Sequence, residues 1–230
     1  MSYKLVAFDM DGTLLKERTI FRLADEMGFR RKMERIINSE KPGYKKTIEI
    51  ARFLKGLGID EFLRIFRSIP LREDAEHVVK VLKREGIKTA IISNSYDVAV
   101  EDLRKRLGMD YGYANKLVIK NGYITGEVIP HNRNLSKRFP ECRIHSICKR
   151  DVLRSLCKNL GIGREEAAAV GDGEVDICML KEAGLGIAIG ENEKVIKEAD
   201  IWVENLMEIL KYVIGGEEHG HQAGGSDNPS

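Results

Sequence analysis

Long apolar runs are absent from this chain. The stretch Leu5–Phe8 ends on Asp9, and no segment approaches the roughly 20 apolar residues that span a bilayer. The same stretch is too brief for the apolar core of a secretory leader, so the expectation is a soluble, cytoplasmic protein with no membrane partner. Cysteine is scarce: Cys142, Cys148, Cys157 and Cys178 are irregularly spaced and form no C-x-x-C pair, which excludes a disulfide framework and reads as reduced thiols. An excess of charge of one sign is also missing. With 38 Lys/Arg against 36 Asp/Glu the formal net charge is +2, which gives no electrostatic reason to expect nucleic acid or an anionic surface as partner. No internal repeat is visible.

What is present suits a globular protein of one full domain plus a smaller one: 230 residues, 43% hydrophobic and 32% charged. Lys4–Phe8 reads as a short buried strand. From Lys16 to Ile69 the pattern is amphipathic and helical, with Ile20, Leu23, Ala24 and Met27 in one stripe and breaks at Gly28, Pro42–Gly43 and Gly56/Gly58. From Pro70 helices alternate with short apolar strands, and Asn121-Gly122 marks a hairpin. The expected fold is α/β, a doubly wound parallel sheet carrying an inserted helical bundle. Its expected division is a discontinuous core, 1–15 and 70–214, a helical cap, 16–69, and a disordered tail, 215–230. His219 and His221 in that tail are too few for a firm metal tract.

In such a fold, residues just past the carboxyl ends of strands share one crevice. The first strand delivers Asp9 and Asp11, "AIISNS" delivers Ser93 and Asn94, and "AVGDGEVD" delivers Asp172 and, within a turn, Asp176; Lys149 begins the preceding helix. Each motif alone has a plain structural explanation as a turn or helix cap. Together they place four carboxylates in one crevice, which repel unless a cation joins them, and an all-oxygen set favours a hard ion such as Mg2+. An ion that shares its shell with phosphate suits a small phosphorylated metabolite, whose remaining oxygens Ser93, the backbone N–H groups after it and Lys149 would hold.

These residues resemble the haloacid dehalogenase (HAD) superfamily: "DMDGT", "AIISNS", Lys149 and "GDGEVD" match its four motifs in order across residues 3–214. By pattern the chain is most similar to the phosphoserine phosphatase family, which carries a four-helix cap. The resemblance implies a phosphomonoester hydrolase in which Asp9 is the nucleophile and Asp11 the acid and base. It also implies Mg2+ on Asp9, the Asp11 carbonyl and Asp172, with Asp176 in support. Arg18 stands where that family has a glutamate for the substrate amine, Ile48 lies near its carboxylate-binding arginine, and Val175 replaces an asparagine near the phosphate.

The segment 15–70 holds 14 Lys/Arg against 8 Asp/Glu, so Arg18, Arg22, Lys45 and Lys46 are candidate contacts for an extra acidic group on the substrate. The longer connector before Lys149 is expected at the rim of the site, and it carries Cys142, His145 and Cys148, three possible zinc ligands without a clear fourth. A phosphotransferase acting on another hydroxyl, and a phosphometabolite-binding protein with weak turnover, are the alternative functions. Either a monomer or a homodimer is compatible with the sequence.

Overall fold

The computed structural model describes residues 2–137 and 142–215; the expected tail, with His219 and His221, lies outside them apart from its first residue. In chain order the elements are β1 (Leu5–Phe8), α1 (Thr19–Glu26), α2 (Arg30–Ile37), α3 (Gly43–Ala51), α4 (Ile59–Arg67) and α5 (Ala75–Arg84). Next come β2 (Lys88–Tyr96), α6 (Asp97–Leu107), β3 (Tyr111–Lys120), β4 (Tyr123–Ile129), α7 (Lys149–Leu160) and β5 (Ala167–Gly171). The chain closes with α8 (Ile177–Leu180), β6 (Leu185–Ile189), α9 (Glu193–Glu198), β7 (Ile201–Val203) and α10 (Ile209–Val213).

The strands form one seven-stranded sheet in the order β4-β3-β2-β1-β5-β6-β7, parallel except for the β3–β4 hairpin. Because strand side chains alternate, β1 feeds both faces: Val6 and Phe8 enter one apolar cluster, Leu5 and Ala7 the other. All four are fully buried, as a central parallel strand requires. The β1–β2 register ends at Phe8↔Ile91 and the β1–β5 register at Phe8↔Val170, so the residues that follow in all three strands emerge at one edge.

The helical stretch α1–α4 packs its apolar stripes into the Val6/Phe8 cluster through Leu23, Met33, Leu54, Phe62 and Phe66. Phe62 meets Tyr96 of β2 edge-on, centroids 6.2 Å apart. Two stretches that read as helices in the sequence, 44–58 and 174–184, form shorter ones: α3 gives way at Arg52–Leu54 to a tighter turn ahead of Gly56, whose φ is +84°, and α8 spans only four residues. In the second case Gly184 leaves the helix to bond the carbonyls of Arg164 and Ala167 beside the sheet. Among the described residues no helix is long and apolar enough to cross a membrane.

Candidate active site

The edge where β2, β1 and β5 end opens into a cleft of about 970 Å³ between the sheet and the α1–α3 segment. Asp9, Asp11, Ser93, Asn94, Asp172 and Asp176 all line it. Asp9 leaves β1 directly after Phe8, and its amide N–H donates to the carbonyl of Val170 (2.9 Å), so strand pairing fixes the start of the loop. Gly12 turns that loop at φ +90°, and any Cβ there would lie 2.4 Å from Asp172 Oδ2, so only glycine lets the two loops meet. Thr13 Oγ1 then donates to Asp172 Oδ1 (3.1 Å).

Lys149 comes from the first turn of α7 and is 3% exposed. Its Nζ donates to Asp9 Oδ1 and to Asp176 Oδ1, the latter at 2.5 Å. Burial opposes the ammonium charge, yet Asp176 and Asp9 more than compensate, and its pKa lies above the ordinary lysine value. Asp9, Asp172 and Asp176 each offer an oxygen within 4.8 Å of the others. Burial, and next the charge of Asp176, raise the pKa of Asp9 well above the usual carboxylate value despite Lys149. The same two causes, in the same order, raise Asp172. Three oxygen donors that resist carrying their charges together fit a hard divalent cation, which would replace the missing positive charge.

Asp11 lines the same cleft but is not one of the three converging carboxyls. Its Oδ1 accepts from the backbone N–H (2.9 Å) and Oγ1 (2.6 Å) of Thr19, capping the start of α1. Burial raises its pKa, and the Thr19 hydrogen bonds only partly offset this. A carboxyl so placed holds a proton more readily than a free aspartic acid. Ser93 Oγ accepts from the Ser95 N–H (3.1 Å), and Asn94 Oδ1 accepts weakly from Ser146 Oγ (3.4 Å).

Of the cations expected at the cleft, Arg18 and Lys46 line it; Arg22 and Lys45 do not. Arg22 turns back to pair with Glu17 (2.8 Å), and Lys45, the neighbour of Lys46 on α3, points about 100° away from it around the helix. Arg18 makes no close ion pair among the described residues, though its charge acts on Asp172 and Asp11, and its guanidinium lies 5.8 Å from the Phe21 ring centre. Val175 also lines the cleft. Among the described residues the acidic triad is the one side-chain group that converges for a metal, so Cys142, His145 and Cys148 do not assemble a zinc site.

Sequence reasoning missed Thr13 and Thr19, whereas the long connector before Lys149, expected at the rim of the site, does supply residues 142–146 to the cleft lining. Thr13 follows the D-x-D-G turn immediately, so a hydroxyl beside that turn was its available signal. Thr19 had none, because its link to Asp11 exists only once α1 folds back over the loop.

A family model described as haloacid dehalogenase-like hydrolase matches residues 3–184. The chain is 35% identical over 216 residues to the phosphoserine phosphatase of Methanocaldococcus jannaschii, covering 91% of this chain and 97% of that one. It is 30% identical over 220 residues to the phosphoserine phosphatase of Campylobacter jejuni subsp. doylei, covering 91% and 99%. Among solved structures it is similar to a phospho-aspartyl intermediate analogue of phosphoserine phosphatase, with TM-score 0.78, 32% identity, and 93% and 100% of the two chains covered. A substrate-bound phosphoserine phosphatase complex matches with the same TM-score and identity over 93% and 99%.

Proposed function

Because this chain belongs to the haloacid dehalogenase-like hydrolases, as a phosphoserine phosphatase-like phosphoric monoester hydrolase, we propose that it cleaves small polar phosphate esters, phosphoserine among them, through Asp9 and Asp11. The observation that carries the reading is the division of labour among carboxyls. Asp9 sits with Lys149, Asp172 and Asp176, whereas Asp11 is set apart on Thr19 with a raised pKa.

An Asp9 carboxylate oxygen attacks phosphorus, the P–O bond to the leaving group breaks, and Asp11 gives its proton to the departing oxygen. Asp11 then takes a proton from water as that water attacks the phosphorus of the aspartyl-phosphate, releasing Asp9 and inorganic phosphate. Ser93, Asn94 and Lys149 hold the non-bridging oxygens, and Lys149 reduces repulsion between the Asp9 carboxylate and the anionic ester. Asp9, the Asp11 carbonyl and Asp172, with Asp176 in support, would hold Mg2+, which when bound supplies positive charge against the phosphoryl oxygens. Arg18 and Lys46 are the cap cations that meet an acidic group on the leaving side of the substrate. The core division 1–15 and 70–214, with 16–69 as the cap over the cleft, is the domain arrangement that serves this chemistry.

The test is phosphate release from phosphoserine, phosphothreonine, phosphoglycolate and a hexose phosphate, with and without Mg2+, in the wild type, Asp9→Asn and Arg18→Ala. Release should require both Mg2+ and Asp9, with Asp9→Asn at least about a thousandfold slower, the scale of losing a covalent nucleophile. Arg18→Ala should weaken the esters that carry a carboxylate more than the hexose phosphate. Turnover by Asp9→Asn at the wild-type rate overturns the assignment, and transfer of phosphate to an added alcohol in place of water would make the enzyme a transferase.

A further inference from the structure

The segment 142–146 lines the cleft as a strap, and its residues 143–146 are hydrogen-bonded on two sides. Toward the cap, the N–H groups of Gly43 and Tyr44 donate to the carbonyls of Arg143 (3.3 Å) and Ile144 (3.0 Å), and Thr47 Oγ1 donates to Ser146 Oγ (3.1 Å). Toward the core, Asn132 donates through its backbone N–H to the Ser146 carbonyl (2.8 Å) and through Nδ2 to the His145 carbonyl (3.0 Å). Between these anchors Ile144 has φ +50°, a left-handed conformation that a β-branched residue adopts only when its surroundings hold it. Strained positions of this kind persist where the surrounding structure over-determines them, and they cluster at functional sites.

Next to Ile144 is His145, which lines the cleft. Its Nδ1–Cε1 edge lies so close to Gly43 that a Cβ there would sit 2.7 Å from Nδ1 and 3.5 Å from Cε1. Glycine at the start of α3 is what admits the ring. Neither ring nitrogen has a hydrogen-bond partner among the described residues, yet neither is sealed from open space, since Arg22 Nε and Asp102 Oδ2 are the only fully enclosed unpartnered side-chain polar atoms there. A polar ring left unpartnered by the chain and facing a cleft of about 970 Å³ is available to a group from outside the chain.

We propose that His145 contacts the leaving group of the substrate by a hydrogen bond from the ring edge not packed on Gly43, and so selects among phosphate esters. The proposal rests on the hydrolase reading above. The ring is a neutral one: burial, then the charges of Lys149 and Arg143, lower its pKa to about 4. A neutral imidazole offers one donor and one acceptor, which suits a hydroxyl, an ammonium or a carboxylate, and does not add to the cationic character that Arg18, Lys46 and Arg143 already give the cleft.

The test separates leaving-group recognition from phosphoryl chemistry. Exchange of 18O between water and inorganic phosphate, with Mg2+ added, uses Asp9 and the phosphate site but has no leaving group. His145→Phe keeps a ring of similar size without its nitrogens; His145→Gln keeps a donor and an acceptor. For whichever ester of the panel the wild type turns over best, His145→Phe should lose roughly tenfold in kcat/KM, the scale of one polar contact. Oxygen exchange should stay within about twofold, and His145→Gln should recover most of the loss. The proposal is overturned if His145→Phe matches the wild type on that ester, if ester turnover and exchange fall together, or if His145→Gln is no better than His145→Phe. A wild-type enzyme that neither cleaves any ester nor exchanges oxygen overturns instead the hydrolase reading beneath it.

Discussion

Asp172 illustrates how a site can work against the fold that carries it. Its carboxyl pKa is raised by burial and by Asp176, so the folded chain holds the proton more tightly than the unfolded chain does. The stabilisation this gives is complete below the ordinary carboxylate pKa, about 4, and is lost as pH rises through the higher folded value. At neutral pH the ionised group therefore destabilises the metal-free protein. Asp172→Asn should raise the metal-free Tm at pH 7, with the gain vanishing near pH 4, because Asn can still accept from Thr13. Saturating Mg2+, at about a hundredfold over its Kd, should stabilise the wild type by about 2.7 kcal/mol, or about 5–10 °C, and the variant far less. Thermal melts with and without the ion at both pH values check the sign. Thr19 acts on the neighbouring carboxyl in the opposite sense, since its 2.6 Å hydrogen bond lowers the pKa of Asp11. Thr19→Val removes that donor and leaves the backbone one, so Asp11 should hold its proton to higher pH. The alkaline limb of the kcat/KM profile, where the acid is lost, should move up by about 0.5–1 pH unit. A limb that stays in place would remove Asp11 from the role of acid.

At the scale of elements, the helices of 19–67 are held by what they bury. Each of α1 to α4 has eight or nine residues, too short to stand alone in water. Phe62 on α4 is fully buried and reaches across to Tyr96 at the end of β2. Phe62→Ala should cost about 3–5 kcal/mol, read as a lower urea midpoint with an unchanged m-value. Elements of this kind were legible in the sequence because periodicity is local: the 3.6-residue stripe of Leu23, Ala24 and Met27, the alternating strands and the Asn121-Gly122 turn all declare themselves within a few positions. The carboxylates were legible too, since parallel pairing brings the ends of β1, β2 and β5 to one edge. What escaped were meetings between distant segments. Nothing near Thr19 announces Asp11, and nothing near His145 announces Gly43. The same blindness made Arg22 and Lys45 look equivalent to Arg18 and Lys46, for helix-end position is readable from spacing whereas rotation toward a cleft is set by tertiary packing. The short α8 belongs with these: its pattern runs over 174–184, but Gly184 is drawn to the sheet.

Across the whole molecule, the cap and the sheet share one apolar cluster. Leu23, Met33, Leu54, Phe62 and Phe66 from the helical insertion belong to the same contiguous core as Phe8, Ile91, Tyr96, Val100 and Val170. A segment that protects its own core can melt by itself, whereas one whose apolar stripes are completed by another unit loses its main stabilisation when that unit unfolds. The strap adds to the coupling, since Gly43, Tyr44 and Thr47 of the cap are bonded to 143–146, which is bonded in turn to Asn132 and Asn94 of the core. The net charge of the insertion, +6 by its Lys/Arg and Asp/Glu content, does not separate the two, because the acidic ends of β1 and β5 lie beneath it. The protein should therefore unfold in one step. In scanning calorimetry this means a single peak whose calorimetric and van't Hoff enthalpies agree. An earlier, smaller transition that Phe62→Ala shifts while leaving the main peak in place would show instead that the cap melts alone, and that its contacts with the sheet contribute less than the burial of its side chains implies.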